Sequence, residues 1–360
     1  MDEGGENRLI EGRKEDHVDI CLKEDVKVHY NYWDDVNIIH NALPEIDFSE
    51  IDTSTRLLGK DLSAPIIISA ITGGYPQAEN INRNLAIAAG KLGIGMGVGS
   101  QRAALEDSSL AGTYSVVKQY DIPLVIVNIG APQLILQQDS MALDTGKIEE
   151  AFEMVDADVL AIHLNFLQEV VQPEGNVNAR GCLAAMKALA FKYPIIAKET
   201  GSGISRSTAK IFRRIGVKGI DVGGSGGTSF SAVEVYRARD KGEKIRERLG
   251  RTFWDWGVPT PVSVVEANVG LDVIATGGIR NGMDVARAVV LGASSAGIAG
   301  ALLKAATQSS DEVIEELNAI IQELKVTMFL TGAGNLDELR GKEVVITGKT
   351  RDWIEQLSER

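Results

Sequence analysis

A histidine, an asparagine, a glutamine and a glutamate fall inside one short run, HLNFLQE at residues 163–169. An imidazole beside an amide and a carboxylate can bind an anion, hold a divalent cation or handle a proton. His163, Asn165, Gln168 and Glu169 are too dense a set for an ordinary surface turn. Glu169 suits Mg²⁺, which takes one or two carboxylates and completes its shell with substrate phosphate oxygens. A second reactive candidate is Lys198, in AKETG directly after an apolar run. A buried ammonium is costly without an anionic or electron-rich partner. A flavin ring, negatively charged when reduced, supplies one; a salt bridge to Glu199 or Glu169 is the alternative.

Glycine-rich runs surround these residues. SAITGG (69–74) offers the hydroxyls of Ser69 and Thr72, with Gly73 and Gly74 allowing backbone to approach a flat ligand or a phosphate. GVGSQR (97–102) puts Ser100, Gln101 and Arg102 together, and Asn128 stands just before Gly130. In DVGGSGGTSF (221–230), Gly223, Gly224, Gly226 and Gly227 precede Thr228 and free volume for a bound group. TGGIRNG (276–282) and GIAGALLKAA (297–306) each lead into a helix. Paired loops of this kind form a phosphate site from backbone N–H groups and a helix N-terminus, with Gly278, Ile279, Arg280, Ala299 and Gly300 as candidates.

Something must hold these runs at one place. Each follows a short apolar, β-branched segment: Ile66–Ala70, Gly95–Val98, Leu124–Asn128, Val159–His163, Ile195–Lys198, Gly219–Val222, Val273–Thr276 and Ala296–Ala299. Helical patterns such as Asn80–Lys91, Ala179–Phe191 and Met283–Leu291 lie between them. Eight such alternations predict an α/β fold, a closed (β/α)₈ TIM barrel with reactive groups at the C-terminal strand ends; a doubly wound open sheet is the alternative. Residues 1–60 are an N-terminal extension suited to packing across a barrel face, and residues 61–360 are the barrel with a C-terminal helix, Ser310–Leu330, on its exterior. Thr228–Asn268 is a long insertion between strands six and seven. Its charge run Arg237–Arg251 reads either as a solvated helix or as part of a lid.

A net charge of −13 without a Lys/Arg-rich run excludes a general nucleic-acid or anionic-membrane surface, so any anion must be bound in a local pocket. The acidic opening MDEGGENR and the absence of a long apolar run predict a cytoplasmic protein with no membrane span. Cys21 and Cys182 suggest neither a disulfide nor a metal site. HExxH, CxxC and GxxxxGK[ST] are all missing, which removes several metallohydrolase, redox and nucleotide-binding classes.

Taken together, RKEDHVDIC, SAITGG, MGVGSQR, NIGAPQ, HLNFLQE, KETGSGIS, DVGGSGGTSF and TGGIRNG, in that order within a stretch from about Arg13 to Gly300, resemble the type 2 isopentenyl diphosphate isomerase family. The resemblance implies an FMN-dependent barrel that interconverts isopentenyl and dimethylallyl diphosphate, with FMN kept reduced and Mg²⁺ on the diphosphate. Substrate would meet Arg13, Lys14, Ser100, Gln101, Arg102, His163 and Gln168, with Gln168 and His163 in the chemistry and Glu169 on the metal. Flavin would meet Ile71, Thr72, Gly73, Ser100, Asn128, Lys198, Gly223, Thr228 and the Gly278–Arg280 and Ala299–Gly300 loops. Two positions depart from the family: Ile71 where methionine is frequent, and Gly223 where serine sometimes supplies a flavin hydrogen bond. NADPH is the implied reductant, although no GxGxxG fingerprint follows a strand, and the implied assembly is a homo-oligomer, tetramer or octamer.

Two other classes compete. An FMN-dependent 2-hydroxy-acid oxidase or dehydrogenase would share the phosphate loops, but it resembles its relatives in a histidine base near a late strand, and all four histidines here lie at or before residue 163. A non-catalytic phosphate-binding barrel leaves the crowding of Lys198, His163, Gln168 and Glu169 unexplained.

Overall fold

The computed structural model describes residues 3–138 and 140–359. Eight parallel strands close into a barrel: β1 (Ile66–Ile68), β2 (Gly95–Gly97), β3 (Val125–Gly130), β4 (Val159–Leu164), β5 (Ile195–Glu199), β6 (Gly219–Asp221), β7 (Asp272–Thr276) and β8 (Ser295–Ile298). Closure is made by β8 against β1, with Ala296 opposite Ile66. This settles the choice between barrel and open sheet. These strands lack in/out alternation because both faces are buried, one by helices and one by the barrel interior.

Inside, Ile67, Leu124, Ile126, Val159, Ala161, Ile196 and Ile274 form one cluster with Leu57 and Leu62. The latter two come from a hairpin, Thr55–Leu57 with Lys60–Leu62, that plugs the N-terminal end of the barrel. Its turn puts Leu58 at φ 51° and Gly59 at φ 85°, the paired positive angles of a tight two-residue hairpin turn. Leu58 N–H donates to Asp272 Oδ2 at 2.9 Å, fastening the plug to β7. Each buried leucine contributes roughly 1.5–3 kcal/mol. The hairpin straddles residue 60, so the expected division at that point cuts through a structural unit.

The extension is therefore several pieces. A helix at Glu3–Lys23 packs beside the helix Phe230–Asp240 and the short helix Arg102–Glu106. Farther on, Val36–Ile38 pairs antiparallel with Val344–Ile346 near the other end of the chain. Asp35 locks this ribbon: its carbonyl accepts from Thr347 N at 2.9 Å, and its carboxylate accepts from Thr350 N at 2.9 Å and Tyr30 OH at 2.9 Å. The expected C-terminal helix is Ser310–Thr331, followed by Leu336–Arg340 and Gly348–Ser358, which the sequence reading did not resolve.

The insertion after β6 is helical throughout most of its length: Phe230–Asp240, Lys244–Thr252 and Thr260–Ala267. The first two pack on each other and on the helix Phe166–Val171, while the third packs on β7 and Arg206–Ile215 as the barrel's own sixth helix. A solvated charge run does not describe the first helix, because Glu234 and Arg237 are buried. Among the described residues no helix is long and apolar enough to cross a membrane.

Candidate active site

His163 is the penultimate residue of β4 and lies opposite Lys198 on β5 in the strand register. Asn128 Nδ2 donates to Val98 O at 3.1 Å, which leaves Asn128 Oδ1 to accept from His163 Nδ1–H at 2.7 Å. That fixes the tautomer with Nε2 as the lone-pair side. Burial, then the charges of Lys198, Lys14 and Arg13, push the imidazole down to about 3. Three cations thus converge on a neutral ring.

Lys198 is paired, though not with either glutamate expected. Its Nζ lies 2.7 Å from Asp221 Oδ2, its register neighbour on β6, and both side chains are buried. Asp221 Oδ1 is buried without a partner. Glu199 turns instead into its own loop, where Oε2 accepts from Thr200 N at 2.6 Å, Gly203 N at 3.2 Å and Ser202 N. Burial nevertheless raises that carboxyl to about 8.

Gln168 and Glu169 lie on the first helical turn after β4, in Phe166–Val171, and consecutive helical positions send them apart. Gln168 Nε2 donates to Glu234 Oε1 at 3.2 Å; the same oxygen meets His17 Nε2 at 2.9 Å, and Glu234 Oε2 accepts from Arg237 at 2.7 Å. Glu169 accepts from Asn165 Nδ2 at 3.0 Å on one oxygen, and from Gln172 Nε2 at 2.7 Å and Asn176 N at 2.6 Å on the other. Asn165 Oδ1, beside it, is buried without a partner. Among the described residues no cluster of three or more His, Cys, Asp or Glu could hold a metal alone. One buried carboxylate with a spare amide oxygen next to it suits a cation whose other ligands come from phosphate and water.

The N-terminal helix delivers its basic residues to this mouth. Lys14 Nζ donates to Ser100 O at 2.7 Å, and the electrostatics of His163 and Glu169 both include Arg13 as a near neighbour. Arg102 Nε donates to Glu106 at 2.7 Å at the start of its own short helix. Gln101 behaves differently from its expected role in substrate contact. Its side chain is fully buried, with Nε2 on Ala151 O at 3.0 Å and Oε1 accepting from Asn128 N at 3.3 Å, so it braces β3 beneath the mouth.

The glycine loops meet where a phosphate was expected. A Cβ on Gly227 would lie 2.7 Å from Gly278 N, and one on Gly278 would lie 2.3 Å from Gly226 O, so side chains would break the seam. Gly300, opening the helix Gly300–Gln308, faces Thr228 Oγ1, and its N-cap Ala299 supplies no side-chain acceptor. That helix start therefore has uncapped N–H groups to offer an anion. The helix after β7 is already capped by Asn281, and Arg280 is engaged by Asp284 at 3.2 Å, with Ile279 buried. Gly223, at φ 43°, packs against Glu199 O, while Thr72 is buried and Ile71 half-buried beside it.

Asp221, Glu234 and Tyr114 were not singled out by sequence, whereas Trp33 was expected only as part of an extension packed across a barrel face. Trp33, fully buried, donates from Nε1 to Gly277 O at 2.9 Å and so steadies the loop after β7. A faint signal existed for Glu234, three residues before Arg237 in a helical pattern.

The sequence model of the family "FMN-dependent dehydrogenase" matches residues 12–122 and 162–346 of this closed barrel. Solved structures agree on the fold: a lactate oxidase of Pediococcus acidilactici (TM-score 0.61, 15% identity, 88% of this chain and 84% of that one) and a mandelate oxidase variant with an FMN monooxide adduct (0.59, 17%, 88% and 90%). The isopentenyl-diphosphate delta-isomerase of Picrophilus torridus is 47% identical over 96% of this chain and 99% of its own, and that of Thermoplasma acidophilum 48% over 96% and 99%. The chain belongs to the type 2 isopentenyl-diphosphate delta-isomerase family of enzymes.

Proposed function

We propose that this enzyme interconverts isopentenyl and dimethylallyl diphosphate in the cytoplasm, using reduced FMN and Mg²⁺, with NADPH as reductant and as a homo-oligomer. The observation that carries this reading is the pair of cations Lys14 and Arg13 beside a neutral His163, a charge arrangement suited to a polyanion.

Moving a double bond by one carbon adds a proton at one end of the allylic unit and removes one at the other. Bound reduced FMN supplies a negatively charged ring that stabilises developing positive charge on an otherwise apolar alkene, and a ring nitrogen able to carry a proton. Lys198, held by Asp221, and Asn128 would face the flavin, and the uncapped start of Gly300–Gln308 with Thr228 would take its phosphate. Arg13, Lys14, Ser100 and Arg102 would bind the diphosphate, with Glu169 holding Mg²⁺ against it. His163 Nε2 would meet that diphosphate either through a phosphate hydroxyl or as the imidazolium, once the anion offsets the surrounding cations. Gln168 is too weak a base to act alone; pinned by Glu234, it orients the alkene or relays a proton.

The test is anaerobic conversion of isopentenyl diphosphate with FMN, Mg²⁺ and either NADPH or a chemical reductant, each omitted in turn. Conversion that stops without FMN or reductant supports the reading. A flavin-loaded protein inert here but consuming oxygen with hydroxy acids would make it an oxidase. Within the isomerase, Gln168→Ala is expected to lower turnover by about 100-fold with FMN still bound, seen as an unchanged flavin spectrum. Unchanged turnover would remove Gln168 from the chemistry.

A further inference from the structure

Lys14 reaches the barrel from a helix outside it, and a flexible four-carbon side chain needs something to fix where its charge ends. Its Nζ donates to Ser100 O at 2.7 Å and to Tyr114 Oη at 2.6 Å, and Tyr114 OH donates in turn to Ser100 O at 2.5 Å. The three groups close a triangle. Two of the ammonium's three N–H groups are thereby used, which leaves one for an anion.

The tyrosine is built in rather than incidental. It is fully buried, and its ring lies in a slot made by Gly73 and Gly74, at φ 154° and 81°. A Cβ on Gly73 would come within 2.1 Å of Tyr114 Cε1, and one on Gly74 within 2.8 Å of both Tyr114 Oη and Lys14 Nζ. Glycines that sequence reading assigned to a ligand's approach thus also make room for this ring and this ammonium. The Lys14 Nζ lies 5.3 Å from the ring centroid, a second attraction to the same residue. Both are needed, because burial, Arg13 and Arg102 push the ammonium down to about 7, with only Glu106 opposing them.

We propose that Tyr114 is a positioning residue for substrate: its hydroxyl fixes the Lys14 ammonium where it meets the diphosphate. This rests on the isomerase reading for the identity of the substrate, and on geometry alone for the anion. Burial keeps the phenol protonated, so it serves Lys14 as a neutral acceptor and Ser100 as a donor.

Tyr114→Phe keeps the ring in its slot and removes only the hydroxyl. Inorganic diphosphate with Mg²⁺ should bind this variant about tenfold more weakly by calorimetry, the loss of one charge-assisted contact. KM for isopentenyl diphosphate should rise similarly while kcat stays within about twofold. With one acceptor lost, Lys14 gives up its proton at lower pH, so the alkaline fall in diphosphate affinity should begin earlier than in the parent enzyme. In a Lys14→Ala background the same change should add nothing. An equal effect with and without Lys14, or unchanged affinity in the single variant, overturns the proposal. If the parent enzyme binds diphosphate yet isomerises nothing, the isomerase reading falls, and the binding cycle still decides the role of Tyr114.

Discussion

Replacing Asp221 with alanine is expected to cost about 3–5 kcal/mol of folding stability, measured by urea denaturation of the apoprotein at neutral pH. The reason is the neighbour left behind. Lys198 and Asp221 are 9% and 5% exposed and 2.7 Å apart, and no other ion pair with Lys198 is present among the described residues. Removing the carboxylate strands an ammonium in a site with little water. The pair need not be a strong net stabiliser, since desolvating both charges offsets much of their attraction. Hence Lys198→Met with Asp221→Leu should recover most of the loss, while Asp221→Asn should fall between. A loss below about 1 kcal/mol for Asp221→Ala would mean that the lysine is neutral or hydrated in the folded protein.

Glu234→Ala should act on both stability and turnover. Burial alone would raise this carboxyl, but the hydrogen bonds and charges of His17 and Arg237 overcome it and hold the group at about 2, against the usual 4.5. A depressed folded-state pKa contributes stability that is complete above pH 4.5 and is lost as pH falls toward 2. The shift corresponds to about 3 kcal/mol. The variant should therefore be less stable than its parent by roughly that amount at pH 7, with the gap narrowing progressively between pH 5 and pH 2. Turnover should fall about tenfold or more, because Gln168 loses its acceptor. A stability gap that is the same at pH 7 and pH 2 would show that the folded protein does not hold an ionised Glu234.

Why the first of these residues escaped sequence reading is instructive. Lys198 and Asp221 are cross-strand neighbours, and register between parallel strands separated by a helix leaves no local mark. Arg237 looked like part of a solvated run, and Glu234 went unnoticed, because what buries them, the helix bearing Asp16 and His17, comes from more than two hundred positions upstream. Gln101 shows the opposite case. It stands beside Ser100 and Arg102 at a strand end, yet its amide is claimed by Ala151 from a neighbouring helix. What was legible had a local cause: all eight strands are short runs of apolar residues and glycine, within two residues of their observed bounds, and their ends carry His163, Lys198 and Asn128 to one mouth. The strand Val344–Ile346 had no such signal, being three apolar residues whose partner lies near the opposite end of the chain.

That ribbon also constrains when the site can be completed. Val36 and Ile346 are paired, and closing so long a loop in an unfolded chain would cost about 5 kcal/mol beyond the constant term. Once the barrel has brought the two segments together, the same pairing is nearly free of that penalty. The ribbon must therefore form after the barrel, and on a ribosome only after nearly the whole chain has emerged. Residues 24–35, which join the Lys14-bearing helix to the ribbon, gain this second fixed end last.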